Sequence, residues 1–329
     1  MTRRGVWVFL LGLALSWAAF AVEPAPARSS AFLVTDALWL KLRTLPVGQR
    51  PRVGLVLSGG GARGLAHIGV LKVFEREGVP VDLVVGTSVG AIVGALYAAG
   101  VPASDIEGMA SAVGWDQLTD LSSARVVRLL VSERLLSTKK MEKYLQDRIG
   151  ETSFADLKTP FACLATDIRT GEGIVLREGS VALAARASAT MPGIFEPVPY
   201  RHRFLIDGGV VDNVPTEVAR RLGAEILICL YVPEDFSRHN VSNVLSMMTQ
   251  ALYIQGQVLS EDRIKRADFL IRPDVSDVSA LELWRSKECM EAGQRAAEKS
   301  WPDLKKYLAE KFLDRSLSQR TAVPPSEAK

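Results

Sequence analysis

Apolar and polar positions along the chain fall into two alternating patterns. Short apolar runs read as buried strands: Val53 to Leu57, Val81 to Val85, Pro160 to Thr166, Phe204 to Ile206, Glu225 to Val232 and Phe269 to Ile271. Between them, apolar residues recur at helical spacing in Leu65 to Glu77, Val89 to Ala99, Thr138 to Ile149, Val181 to Ala189, Thr216 to Leu222 and Leu245 to Leu259. Strands alternating with helices predict an α/β fold, a three-layer α/β/α sandwich around a mostly parallel central sheet. No Pro/Gly/Ser-rich linker divides the middle of the chain, so one large domain over residues 51–313 is expected rather than two. Residues 22–50 carry Pro24, Pro26 and an apolar stretch around Leu38 to Leu42, which predicts an N-terminal segment ending in a short helix. The polar, Pro-bearing residues 314–329 predict a disordered tail.

The first stretch has a different pattern. Arg3 and Arg4 precede an uncharged run from Gly5 to Val22 that contains Ala19-Phe20-Ala21, a small-x-small pattern, so a signal peptide over residues 1–21 is expected. An uncleaved membrane anchor is the rival, weakened by Gly12, Ser16 and the alanines of the run. Either way the chain is expected to be exported, to a periplasm or out of the cell, with membrane association possible.

Composition narrows the function classes. The 329 residues are 48% hydrophobic and 23% charged, a foldable balance, and 40 Lys plus Arg against 37 Asp plus Glu leave a net charge of +3. No basic block with interleaved aromatics is present, so nucleic acid is not an expected partner. Three Cys and three His are too few and too scattered for a zinc site or a disulfide framework. Cys163 and Cys229 sit in apolar strand-like runs and read as small buried hydrophobes, with Cys289 in a helical pattern. No cofactor and no metal are called for, and activity is expected to survive a chelator.

The chemistry concentrates in three places. In VGLVLSGGGARGLAHIGVLKVFE a strand runs into Gly59, Gly60 and Gly61 and then into a helix. Three consecutive glycines cost backbone entropy unless their amides must approach something closely, and a helix N-terminus behind them favours an anion. The same stretch matches a dinucleotide fingerprint, Gly59-x-Gly61-x-x-Gly64, but Asp82 opens the second strand where that reading needs an acidic residue closing it. What does close that strand is Gly86-Thr87-Ser88-Val89-Gly90, G-x-S-x-G between a strand and a helix, the context that puts a serine hydroxyl on a sharp exposed turn. Such a hydroxyl needs a base and an oxyanion hole, and the triple-glycine loop can supply the hole. His67, His202 and His239 each lack an obvious orienting carboxylate. Asp207, at the end of RFLID and before Gly208 and Gly209, is a candidate base, and Asp167 in ATDIRTG is a rival with similar placement.

Taken in order, Ser58-Gly59-Gly60-Gly61-Ala62-Arg63-Gly64, Gly86-Thr87-Ser88-Val89-Gly90 and Asp207-Gly208-Gly209 resemble the signature blocks of patatin-like phospholipases. RASATMPGIFEPV is similar to the family's Ala-Ser-x-x-x-Pro segment at Ala187, Ser188 and Pro192, and the likeness spans roughly residues 50–275. The surroundings look most like the bacterial branch related to neuropathy target esterase. The resemblance implies a Ser-Asp dyad without histidine: Ser88 as nucleophile, Asp207 as general base, the Gly59, Gly60 and Gly61 amides as oxyanion hole. Arg63 is left between a substrate contact and a structural ion pair, and Ser58 stands where many members carry Asp. The implied activity is hydrolysis of carboxylic esters of phospholipids or lysophospholipids at a membrane or micelle surface. Trp115 to Leu136 is a candidate lid or membrane-facing edge. A non-catalytic binding scaffold on the same fold is the alternative.

Overall fold

The computed structural model describes residues 30–118, 135–238, 241–242 and 244–321. The expected signal peptide over residues 1–21, most of the candidate lid and His239 lie outside the described residues. Eight strands form one sheet among them: β1 Val53–Leu57, β2 Leu83–Thr87, β3 Phe161–Asp167, β4 Gly173–Leu176, β5 Val198–Tyr200, β6 Arg203–Asp207, β7 Ile226–Leu230 and β8 Phe269–Ile271. The described helices are α1 Ser30–Leu42, α2 Ala66–Glu77, α3 Val89–Ala98, α4 Ala103–Ala112, α5 Trp115–Leu118, α6 Lys139–Ile149, α7 Val181–Ser188, α8 Thr216–Arg221, α9 Val244–Ile264 and α10 Ser286–Thr321.

The middle of the sheet is parallel, β8-β7-β1-β2-β3, and its strands are apolar on both faces because helices cover both. Alternate residues separate the faces. Leu55, Leu57, Val84, Cys163, Ala165 and Ile228 join one core with residues of α2, α3, α7 and α10. Val56, Val85, Ala162, Leu164, Leu227 and Cys229 join the other with Val218 of α8 and Ile264 of α9. Cys163 and Cys229 are therefore buried and free on opposite faces, where a disulfide between them is geometrically excluded.

The far side of β3 decides the geometry of the site. There β4 runs antiparallel along Cys163 to Thr166, so every other partner of those residues must lie on the opposite edge. That edge is shared: β2 pairs parallel as far as Thr87↔Leu164, and β6 takes over antiparallel at Ala165↔Asp207. The carboxyl ends of β2 and β6 thus meet head to head beside Leu164 and Ala165.

Three expectations are corrected. The second strand begins at Leu83, not Val81, because Asp82 is engaged before it: its carboxylate takes both terminal nitrogens of Arg50 (2.6 and 2.8 Å) and the Val53 N–H (2.8 Å). Residues 314–321 are not a disordered tail but the last turns of α10, with Phe312 fully buried just before them and Ser316 Oγ donating to the Gln49 carbonyl at 3.2 Å. The N-terminal segment is longer in helix than expected, and α1 carries Trp39 into the core against Trp301 and Phe312.

Candidate active site

The turn from β2 into α3 holds Ser88 at φ 56° and ψ −127°, a conformation that costs a non-glycine residue on the order of 1–3 kcal/mol. The turn closes because its flanks are glycine: a Cβ on Gly90 would stand 2.4 Å from the Leu57 carbonyl oxygen, so a larger residue would push α3 off the sheet. The strain is held by Ser188, at the end of α7. Its hydroxyl donates to the Leu164 carbonyl (2.6 Å) and accepts the Ser88 N–H (2.9 Å), tying the turn to β3.

Because β2 and β6 end against one another, Ser88 and Asp207 meet. The Ser88 hydroxyl donates to Asp207 Oδ2 at 2.6 Å, while Asp207 Oδ1 accepts the Gly209 N–H at 2.7 Å. Asp207 is 7% exposed, and burial pushes its carboxyl from 3.8 up to about 6, against the opposing pull of those two hydrogen bonds. A carboxyl of this kind remains largely ionised at neutral pH yet is a better proton acceptor than an ordinary aspartate.

The rival groups are occupied elsewhere. Asp167 ends β3 and accepts from the Arg169 N–H, Thr170 Oγ1 and Arg203 Nη1 (3.1, 3.2 and 3.1 Å), the bonds of a turn. His67 is fully buried, its Nε2 donates to the Ser58 carbonyl at 2.9 Å, and burial lowers its pKa to about 4. His202 lies exposed in the β5–β6 hairpin.

The glycine loop divides its labour. Gly60 (φ 155°) and Gly61 (φ 57°) adopt backbone that L side chains avoid, line the cleft with Ser88 and Asp207, and have N–H groups that donate to no described residue. Gly59 is corrected as an oxyanion donor, since its N–H is committed to the Asn213 carbonyl at 3.2 Å. Of the two roles read for Arg63, its contacts are those of the ion pair. It is 2% exposed, reaches Glu234 with two nitrogens (2.6 and 2.7 Å) and donates to the Val278 carbonyl at 2.8 Å.

Two cavities converge on this point. One, of about 730 Å³, is mixed: Asn213, Glu234, Thr249 and Gln257 stand beside the dyad, and apolar side chains such as Pro192, Val232, Phe236 and Leu252 line the rest. The other, of about 870 Å³, is lined almost wholly by apolar side chains, among them Leu65, Ile92, Leu96, Met109, Leu145 and Phe195. Ser88, Gly61 and Met191 border both. The arrangement suits an ester whose carbonyl lies at Ser88, with a hydrocarbon chain in the apolar cavity and the alcohol in the mixed one. Among the described residues no cluster of metal-ligating side chains is present. Sequence reasoning noted Ser188 only as part of a motif and gave Asn213 no part. Asn213 lies six positions after Asp207 in the same loop, and proximity in sequence was the available signal.

A family model for patatin-like phospholipase matches residues 55–220. A patatin-like phospholipase domain-containing protein of Caenorhabditis elegans is 32% identical over 288 residues, covering 77% of this chain and 21% of that protein. An uncharacterised NTE family protein of Mycobacterium tuberculosis is 31% identical over 282 residues, 77% of this chain and 47% of that one. A lysophospholipase of Lodderomyces elongisporus is 27% identical over 290 residues, 78% of this chain and 20% of that one. The chain thus spans about half or less of the length of these relatives.

Proposed function

The chain belongs to the patatin-like phospholipase family, and from that premise we propose that it is an exported serine acyl hydrolase cleaving carboxylic esters of phospholipids or lysophospholipids. The observation that carries this reading is the 2.6 Å bond from Ser88 Oγ to a buried Asp207 at the meeting point of a mixed and an apolar cavity. Ser88 Oγ attacks the ester carbonyl as its proton passes to Asp207 Oδ2, and the oxyanion is held by the Gly60 and Gly61 N–H groups. Collapse breaks the bond to the alcohol, which leaves with the proton from Asp207. Water then attacks the acyl-serine, giving its proton to Asp207, and the acid departs as Ser88 recovers that proton. The relative named a lysophospholipase and the apolar cavity beside Ser88 support a chain-bearing ester as substrate. The run from Gly5 to Val22 after Arg3 and Arg4 supports export.

The test uses the wild-type chain beside Ser88→Ala and Asp207→Asn, each given phosphatidylcholine, lysophosphatidylcholine and a short-chain chromogenic ester, with released acid measured. Wild-type hydrolysis that vanishes in both variants is the expected result. Activity surviving Asp207→Asn alone removes Asp207 as the base, and a wild type inert on all three esters removes the hydrolase reading.

A further inference from the structure

Two amides next to the nucleophile are already spent: the Ser88 N–H on Ser188 and the Gly59 N–H on the main chain of Asn213. The second has a side chain that is not spent. The Asn213 carboxamide is half-buried, lines the mixed cavity with Ser88, Asp207, Gly60 and Gly61, and forms no hydrogen bond with any described residue. Its position is set from three sides. A Cβ placed on Gly59 would lie 2.3 Å from Asn213 Oδ1 and 3.1 Å from the Ser88 Cβ, and one on Gly209 would lie 3.1 Å from the same Oδ1. The carboxamide therefore sits where the glycine loop, the Asp207 turn and the nucleophile come together. Its oxygen occupies space that a side chain at Gly59 would need and crowds the one at Gly209. A carboxamide carries two N–H donors, and donors left unpaired beside a reacting centre are the means by which an oxyanion is held.

We propose that Asn213 is a further catalytic residue, its Nδ2 hydrogen-bonding the oxyanion that forms on attack by Ser88 and replacing the donor that Gly59 gives up. The inference rests on the Ser88–Asp207 hydrolase reading. It also explains an economy of the loop: one residue fixes the glycine turn with its main chain and completes the hole with its side chain.

The test is Asn213→Asp, which keeps the oxygen against Gly59 and Gly209 but removes the donor, beside Asn213→Leu, which removes both. Each is assayed on an oxygen ester and on the thiono ester of the same acid, whose sulfur accepts hydrogen bonds poorly. The expected result is a kcat on the oxygen ester lowered on the order of 100-fold with KM little changed, and an oxo-to-thiono rate ratio that falls by a comparable factor, the remainder being the Gly60 and Gly61 N–H groups. A kcat within about threefold of wild type in either variant overturns the proposal. So does a large loss with the oxo-to-thiono ratio kept at the wild-type value, which makes Asn213 a support of the loop only. Ser88→Ala is run alongside: activity persisting there sinks the dyad itself, a failure distinct from that of Asn213.

Discussion

The carboxyl of Asp207 is held where a carboxylate is uncomfortable. With its folded value raised to about 6 from 3.8 by burial, the folded chain binds a proton in that interval that the unfolded chain does not. Stability contributed by this group is therefore greatest at acid pH and is lost as pH rises through about 6. Ionised at neutral pH, the buried carboxylate is a destabilising element, on the order of 3 kcal/mol. Two outcomes follow from one sign. The rate, read as kcat/KM, is expected to fall about tenfold per pH unit below about 6, as Asp207 takes up its proton. Asp207→Asn is expected to melt at higher temperature than wild type at pH 8 and to lose that advantage towards pH 4. A variant less stable than wild type at pH 8 contradicts the burial account.

At the scale of elements, the close approaches are set by glycines that lie outside the catalytic motifs. In α2 a Cβ on Gly69 would fall 1.9 Å from the Met290 carbonyl oxygen, and in α10 a Cβ on Gly293 would fall 1.9 Å from that of Ala66. These two helices pack backbone on backbone beneath the glycine loop, so α10 holds from below the helix that follows Gly61. Gly69→Ala forces them apart and is expected to cost on the order of 3 kcal/mol in denaturant unfolding. Gly108→Ala is the contrast, because a Cβ there meets nothing within 4 Å in the exposed side of α4, and it is expected to stabilise by about 0.5–1 kcal/mol. Equal effects at the two positions count against backbone packing. The elements most easily read from sequence were those with strong local pattern: β1 and β8 match their apolar runs to the residue. The two strands not foreseen, β4 with GIVL and β5 with VPY, are short, lie at or near the margin of the sheet, and carry too few apolar residues to show a period.

Across the whole molecule, the apolar cavity between α3, α4 and α6 is expected to set chain-length preference. Ile92→Trp fills it from the α3 side and is expected to lower activity on a long-chain ester at least about tenfold relative to a short-chain one, since each methylene denied burial forfeits about 0.8 kcal/mol. Equal losses on both esters would place the chain elsewhere. Local sequence by itself determined the α/β alternation and the strand–loop–helix settings of Gly59 to Gly61 and of Ser88. These are properties of neighbours in the chain: hydrophobic period, turn chemistry and capping act over a few residues. Residues 119 and more positions apart had no such signal between them. That Asp207 rather than Asp167 meets Ser88, that Arg63 is spent on Glu234, and that Gly59 yields its N–H to Asn213 were decided only by the tertiary structure. The physical reason is the shared edge of β3, where a parallel and an antiparallel strand end against each other and bring distant residues into contact.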